Sequence, residues 1–389
     1  MQGHRELYPQ VLKRLKQMPA VALLGPRQCG KTTLAKAIIA ERPDALYLDL
    51  ERESHLRRLQ DPETFFRQHR QQLICLDEVQ RRPDLFPLLR SELDERGGNG
   101  SVLLLGSASP DVLRHATESL AGRIGFLELT PFTWGEATAT SHDLTSWWVR
   151  GGFPRSLLAE DDEASLTWRE DFIHTFLERD LVALRPRLQV PLMARLWRMC
   201  AHQHGQLCNW AALAASLGVS APTVRDHVEL LAGTFLIRLL PPFSNHLGKR
   251  LVKSPRLYLR DSGLLHALLG IPNFDALLGH PAYGPSWEGV VIEAVLGRLP
   301  TRIAASFYRT AAGAELDLVL EGAEGRLAIE CKASAAPSVT AGFWNALEDT
   351  GCTEAWIVAP VEQPYVLKGG VRVGRLSDAL EDLTRRGWR

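Results

Sequence analysis

Apolar residues come in short, near-continuous runs through the first third of the chain. Val21, Ala22, Leu23 and Leu24 form one run, closed by Gly25, and 46–50, 73–76, 102–105 and 126–129 repeat the pattern. Helical stretches lie between them: 31–40, the segment after Asp61 and Pro62, and 84–96. In the last, Leu85, Leu88, Leu89 and Leu93 fall at helical spacing, and Gly97, Gly98 and Gly100 end it. Strands with no polar alternation are buried on both faces, and the intervening helices supply the cover. The pattern predicts an α/β layer with a mostly parallel sheet.

Further on the periodicity changes. Residues 163–204 read as helical, with Trp168, Phe172, Phe176 and Leu177 in one apolar stripe that suits a core. Residues 211–220 and 222–231 then make two short helices, with a turn at Gly218 and a cap at Ser220. This is a helix-turn-helix pattern, and the apolar run 235–240 after it suits a winged helix. The remainder reads as a helix at 287–296 and strands at 306–309, 315–320, 327–332 and 356–359, with a hairpin turn at 322–325. Three domains are expected, at 1–135, 136–270 and 271–389.

Composition narrows the class. A chain of 389 residues suits two or three domains. Lys plus Arg and Asp plus Glu both number 45, which excludes a uniformly basic nucleic-acid coat but not a local basic face. Hydrophobic residues at 45% and charged residues at 23% argue for packed cores rather than disorder. The 6 cysteines include no C-x-x-C pair, which fits reduced thiols better than a disulfide or zinc framework. No apolar stretch approaches the ~18 residues of a membrane helix, and the opening MQGHRELYPQ lacks an apolar leader segment. A cytoplasmic protein with no membrane partner is expected.

The loop after the first apolar run carries the clearest chemistry. Gly25, Pro26, Arg27, Gln28, Cys29, Gly30, Lys31 and Thr32, followed by Thr33, spell G-x-x-x-x-G-K-T between a strand and a helix. Glycines let the backbone curl so that its amides converge on phosphate oxygens, and the helix aims its positive end at them. Lys31 then reaches the β- and γ-phosphates of ATP, and the Thr32 hydroxyl holds Mg2+. The run 73–76 ends in Asp77 and Glu78, placed as the Mg2+-orienting acid and the group that polarises water. After 102–105, Gly106, Ser107, Ala108 and Ser109 offer short hydroxyls, either as a γ-phosphate sensor at Ser107 or as a tight turn with a helix cap.

These segments resemble prokaryotic AAA+-like ATPases with an N-terminal ATPase domain (AAA_14) and a C-terminal domain of unknown function (DUF4143). The resemblance rests on GPRQCGKTT, LDEVQ, GSAS, 120–123 (LAGR), 129–132 (LTPF), 151–154 (GGFP), 178–180 (ERD), 249–255 (KRLVKSP) and 258–264 (YLRDSGL). It implies the ASCE type of P-loop sheet. It also implies that Arg123 or Arg179 stabilises charge at a nucleotide interface, which in trans requires a homo-oligomer; a surface ion pair is the other reading of each.

Two features point toward DNA. Thr223, Arg225 and His227 fall at the start of the second helix of the helix-turn-helix, where a recognition helix meets base edges. Between 238 and 260 the chain carries Arg238, Lys249, Arg250, Lys253, Arg256 and Arg260 and no acid, the footprint of phosphate contacts. A winged helix that meets only protein is the alternative. Finally, Asp317 and Glu330-x-Lys332, with Glu288 or Glu293 upstream, resemble the D…E-x-K pattern of PD-(D/E)xK nucleases, a restriction-endonuclease-like α/β fold. Glu330 and Lys332 share one strand face, Asp317 can join them from the neighbouring strand, and the acids would hold a metal ion. The same fold can instead grip DNA without cutting.

The reading as a whole is an ATPase that binds and remodels or translocates on DNA, branched DNA included. The alternatives are a nucleotide-dependent switch and an ATP-gated endonuclease.

Overall fold

The computed structural model describes residues 5–107, 118–243, 252–300 and 302–388. It forms two compact units. The first comprises Met1–Asp143, Gly152–Leu158 and Glu229–Leu236, and the second comprises Leu144–Gly151, Ala159–Val228 and Ile237–Arg389.

The first unit is built on β1 (Ala20–Gly25), β2 (Leu46–Asp49), β3 (Ile74–Asp77), β4 (Val102–Ser107) and β5 (Ile124–Glu128), in the order β2-β3-β4-β1-β5. Every pair is parallel, as the near-continuous apolar runs predict. Successive side chains feed two cores. Ala20, Ala22 and Leu24 face one side with Phe66 and Phe86, while Val21 and Leu23 face the other. That second side is covered by α1 (Tyr8–Gln17) through Val11 and Leu15 and by α2 (Lys31–Ala40) through Leu34 and Ile38. Helix α1 goes unread in the sequence, although Tyr8, Val11, Leu12 and Leu15 fall at helical spacing in it. The parallel register brings the C-terminal ends of β1, β3 and β4 together, and Gly25 pairs with Ser107 across β1 and β4. Loops at that edge are where a parallel α/β sheet builds its sites. Ala108 and Ser109 lie outside the described residues.

In the second unit, the stripe foreseen as core is core. Trp168 stacks on Phe172, Phe172 on Phe176, and Phe176 meets Trp197 edge-on at 5.5 Å. Helix Asp162–Thr175 runs into a π-helical turn, Phe176–Asp180, which periodicity does not reveal. Helices Trp210–Leu217 and Ala221–Gly233 are separated by Gly218 at φ +69°, and the Ser220 hydroxyl accepts from the Thr223 amide at 3.2 Å. Beside them β6 (Gln206–Leu207), β7 (Ile237–Leu240) and β8 (Arg256–Leu259) form an antiparallel sheet in the order β6-β8-β7.

A second sheet follows: β9 (Ala304–Arg309), β10 (Glu315–Gly322), β11 (Gly325–Cys331), β12 (Glu354–Val358), β13 (Tyr365–Val366) and β14 (Arg372–Gly374), ordered β13-β14-β12-β11-β10-β9. Strands β9 to β11 are an antiparallel meander, while β12 lies parallel to β11. A parallel neighbour needs a crossover, and helix Ala341–Thr350 supplies it. Helix Tyr283–Leu296 precedes the sheet and is anchored by Trp287, whose indole N–H donates to the Val358 carbonyl at 3.2 Å.

Side chains link the segments on either side of residue 270, where sequence places the second boundary, within the second unit. The imidazole of His266 pairs with the Ser286 hydroxyl at 2.8 Å, and Trp148 donates to the same hydroxyl at 2.8 Å. Backbone passes backbone tightly nearby: a Cβ on Gly263 would stand 2.2 Å from the Arg150 carbonyl oxygen, and one on Gly151 would stand 2.2 Å from Asp261 Oδ1. Glycines of the GGFP and DSGL segments thus have a packing role. Gly263→Ala is expected to destabilise the second unit by about 2 kcal/mol through overpacking against fixed backbone; a urea-unfolding midpoint equal to that of the parent would contradict the close approach.

Candidate functional site

The loop between β1 and α2 takes its shape from three unusual residues. Gly30 has φ +102° and Gln28 has φ +62°, and a Cβ on Gly25 would stand 2.2 Å from the Leu129 carbonyl oxygen. The Cys29 thiol turns inward to the Leu129 carbonyl at 3.3 Å, so this residue can offer a ligand its backbone only. Lys31 is buried, and its ammonium donates to the carbonyls of Gly25 at 3.0 Å and Pro26 at 2.8 Å.

Across from the loop, β3 delivers Asp77. Its Oδ2 accepts from the Thr32 hydroxyl at 2.7 Å and the Tyr47 hydroxyl at 2.6 Å, and its Oδ1 accepts from the Glu78 amide at 2.9 Å. The sequence pairing of Thr32 with Asp77 is therefore realised as a direct hydrogen bond. Glu78 follows at φ +56°, a left-handed conformation costing about 1–3 kcal/mol for a non-glycine residue, and its carboxylate is held by the Gln80 amide. Burial raises the Glu78 pKa, against the pull of Lys31 in the other direction. That places the group where a carboxylate accepts a proton more readily than an exposed one.

A cleft of about 840 Å³ opens on this arrangement, lined by loop residues Arg27, Gln28, Gly30, Lys31, Thr32 and Thr33 together with Glu78. Tyr8, Phe132, Pro154 and Leu158 give it an apolar wall.

Three of the supporting residues escape sequence reasoning. Tyr47 looks like an ordinary strand aromatic. Arg5 is buried and donates to the Cys29 carbonyl at 2.7 Å, the Thr130 carbonyl at 2.5 Å and Glu136 Oε1 at 2.9 Å, so it props the loop from below. Glu136 could have been found: Thr133-x-x-Glu136 is a capping box, with the Thr133 hydroxyl accepting from the Glu136 amide at 3.2 Å and Glu136 accepting from the Thr133 amide at 3.0 Å.

Of the two arginines implied by resemblance, Arg123 makes an exposed ion pair with Asp94, 2.9 Å from Nη2 to Oδ2. Arg179 is exposed within the π-helical turn.

The nuclease-like residues are only partly brought together. Asp317 on β10, Glu330 and Lys332 at the end of β11, and Glu288 on helix Tyr283–Leu296 converge; Lys332 donates to Glu330 Oε1 at 2.7 Å and the Cys331 amide to Asp317 Oδ2 at 2.9 Å. Glu293 is elsewhere, held by Arg238 at 2.8 Å and Arg260 at 3.0 Å, so its expected role as a metal ligand is corrected. The expected DNA contact of Arg256 is corrected as well. It is buried, and one guanidinium nitrogen donates to Glu288 at 2.9 Å and Asp317 at 3.1 Å while the other pairs with Glu315. Among the described residues no three His, Cys, Asp or Glu side chains are grouped to hold a metal ion. A guanidinium stands between the acids instead.

Arg238, Arg256 and Arg260 are thus neutralised within the fold, which removes half of the basic segment from the surface charge. Lys253 and Arg225 are exposed and Thr223 and His227 partly so, with Arg225 over the Trp210 ring at 5.6 Å and His227 3.5 Å from Asp226. Lys249 and Arg250 lie outside the described residues. No helix among the described residues is long and apolar enough to cross a membrane.

Residues 17–138 match the family model of the AAA domain AAA_14, 141–275 match a domain of unknown function (DUF8612), and 283–378 match another (DUF4143). With its parallel sheet and Gly25–Thr32 loop, the first unit is an AAA-type P-loop nucleotide-binding domain. Over 368 residues the chain is 40% identical to the uncharacterised proteins Rv2008c of Mycobacterium tuberculosis and Mb2031c of Mycobacterium bovis, spanning 94% of this chain and 82% of each relative. It belongs to their family. Among solved structures it is similar to the Walker-type ATPase PABY2304 of Pyrococcus abyssi, at 17% identity and TM-score 0.49 over 69% of this chain and 96% of that one. It is also similar to the ORC2 protein of Aeropyrum pernix in its ADPNP–ADP complexes, at 15% identity and TM-score 0.33 over 68% and 90%.

The acid cluster has a pH signature. Burial pushes Glu330 well above the usual glutamate range, with Asp317 adding to the shift and Lys332 opposing it. A carboxyl raised in the folded state contributes stability below its unfolded pKa and loses it as the pH rises through the folded one. The melting temperature of the parent is therefore expected to fall relative to that of Glu330→Gln as the pH rises from about 5 to about 9. Parallel profiles would contradict a raised Glu330.

Proposed function

We propose that this protein is an ATP-hydrolysing AAA-type enzyme. The observation that carries the reading is the joining of Thr32 to Asp77 at the mouth of the cleft, with Lys31 and the curled loop beside it. Bound ATP would supply the triphosphate, and Mg2+ would offset the charge that develops on it. The chain fits both groups: amides of Gly25–Thr33 and the Lys31 ammonium would hold phosphate oxygens, Thr32 and Asp77 would hold the ion, and Tyr47 would fix the Asp77 rotamer. Glu78 would take hold of the attacking water once its carboxylate leaves Gln80. Ser107, at the end of β4 in register with Gly25, would sense the γ-phosphate. Tyr8, Phe132, Pro154 and Leu158 would cover the base. Exposed Arg179, in a π-helical turn of the kind often found at functional sites, or Arg123 would stabilise charge in trans within a homo-oligomer.

The partner of the second unit is proposed to be DNA, met by a winged helix through Thr223, Arg225, His227 and Lys253, with Lys249 and Arg250 in the same segment. The β9–β12 meander and crossover would act as a nuclease-like fold that grips without cutting. The internal pairing of Arg238, Arg256 and Arg260 favours a second reading, a nucleotide-dependent switch whose winged helix meets a protein.

Lys31→Ala is expected to lower ATP turnover by about 100-fold or more, and Glu78→Gln to do the same while still retaining bound ATP. Parental turnover in Glu78→Gln would remove that residue from the water-activating role. If DNA is the partner, duplex, single-stranded or branched DNA raises ATPase activity, and its binding weakens steeply with salt; rates that stay flat across all three would leave the switch reading.

A further inference from the structure

The cleft on the Gly25–Thr33 loop extends past the phosphate end. There its lining passes to Ala37 and Ala40 of α2, to Glu41 at the end of that helix, and to Tyr8 of α1. The two alanines offer only methyl groups, which leaves room for a flat ring beside the Tyr8 side chain.

An acid in this place needs a reason. Among the described residues lining the cleft, Glu41 and Glu78 are the acids. A carboxylate close to a polyphosphate repels it, so it must stand clear of that charge. From Thr32 to Glu41 the chain rises about 13 Å, at about 1.5 Å per helical residue. That is the span from the inner phosphates of an extended nucleoside triphosphate to the outer edge of its base. Helix stability does not account for Glu41 either. It follows the last residue of α2, where the helix dipole is negative and an acid is unfavourable. Its side chain is exposed, and the Tyr8 hydroxyl lies beside it. Glu41 does most to raise the pKa of that hydroxyl, which is otherwise without a partner.

We propose that Glu41 selects the base, its carboxylate accepting a hydrogen bond from the 6-amino group of adenine while the Tyr8 ring covers the base and the Tyr8 hydroxyl orients the carboxylate. The proposal rests on the reading of the loop as a triphosphate site. An ionised carboxylate only accepts, which suits an amino group. A base with a carbonyl at the same position would turn a second acceptor toward it. Glu41 is then a specificity-determining residue, and Tyr8 a positioning residue that acts through it.

The test is isothermal titration of the full chain, in Mg2+, with ATP and with purine riboside triphosphate, which differs from ATP in lacking the 6-amino group. The parent is expected to bind ATP about tenfold more tightly than the analogue. Glu41→Ala should abolish that preference by weakening ATP alone, and Tyr8→Phe, which keeps the ring, should lose part of it in the same way. A merely structural role would weaken both ligands alike. Equal binding of the two nucleotides by the parent overturns the proposal, as does a parental preference that survives in Glu41→Ala or a loss shared equally by both ligands. In each of those cases ATP still binds the parent and the triphosphate site stands. If folded parent binds neither nucleotide, the triphosphate site falls and this proposal falls with it.

Discussion

Asp77 is a carboxylate taken almost wholly out of water, and the nucleotide-binding edge of the first unit is arranged to satisfy it. Thr32 from α2, Tyr47 from β2 and the amide of Glu78 all donate to its two oxygens. An acid left unpartnered at that depth would be strongly destabilising, so these contacts fix where α2 begins relative to β3. The start of α2 in turn sets the curl of the preceding loop, whose carbonyls hold Lys31. Arg5 and Glu136 brace the same loop from its far side. What results is a set of donors facing one cleft, held by bonds among themselves.

The second unit handles buried charge differently. Glu293 is enclosed by Arg238 and Arg260, and Glu288 and Asp317 by Arg256. Two carboxylate groups five residues apart on one helix are thus served by separate arginines, Glu288 by Arg256 and Glu293 by Arg238 and Arg260. Segments rich in Lys and Arg are read as surface because charge is costly to bury, and the rule fails where matching acids lie far away in sequence. Arg256 and Asp317 are such a pair.

The first sheet was legible strand by strand, because parallel strands buried on both faces leave near-continuous apolar runs. The P-loop and the Asp77–Glu78 pair were legible because their chemistry demands fixed residue types at fixed spacing. Helix α1 was missed although its apolar stripe of Tyr8, Val11, Leu12 and Leu15 is legible, whereas the role of Arg5 was not legible, since a single arginine carries no local pattern. Tyr47 was hidden for a related reason: its ring suits a strand, and its hydroxyl has meaning only against Asp77 from another strand. The D…E-x-K order put Asp317, Glu330 and Lys332 in one neighbourhood, yet gave no sign that Arg256 would occupy the space between the acids.

The central claim is that the loop, Lys31, Thr32 and Asp77 form a working triphosphate site. Isothermal titration of Mg2+–ATP into the full chain tests it directly. The account predicts saturable binding at one site per chain, abolished when Asp77 is changed to Ala in a variant that keeps the parental melting profile. An absence of binding heat across the accessible temperature range in folded parental protein, or undiminished binding by such an Asp77→Ala variant, would contradict it.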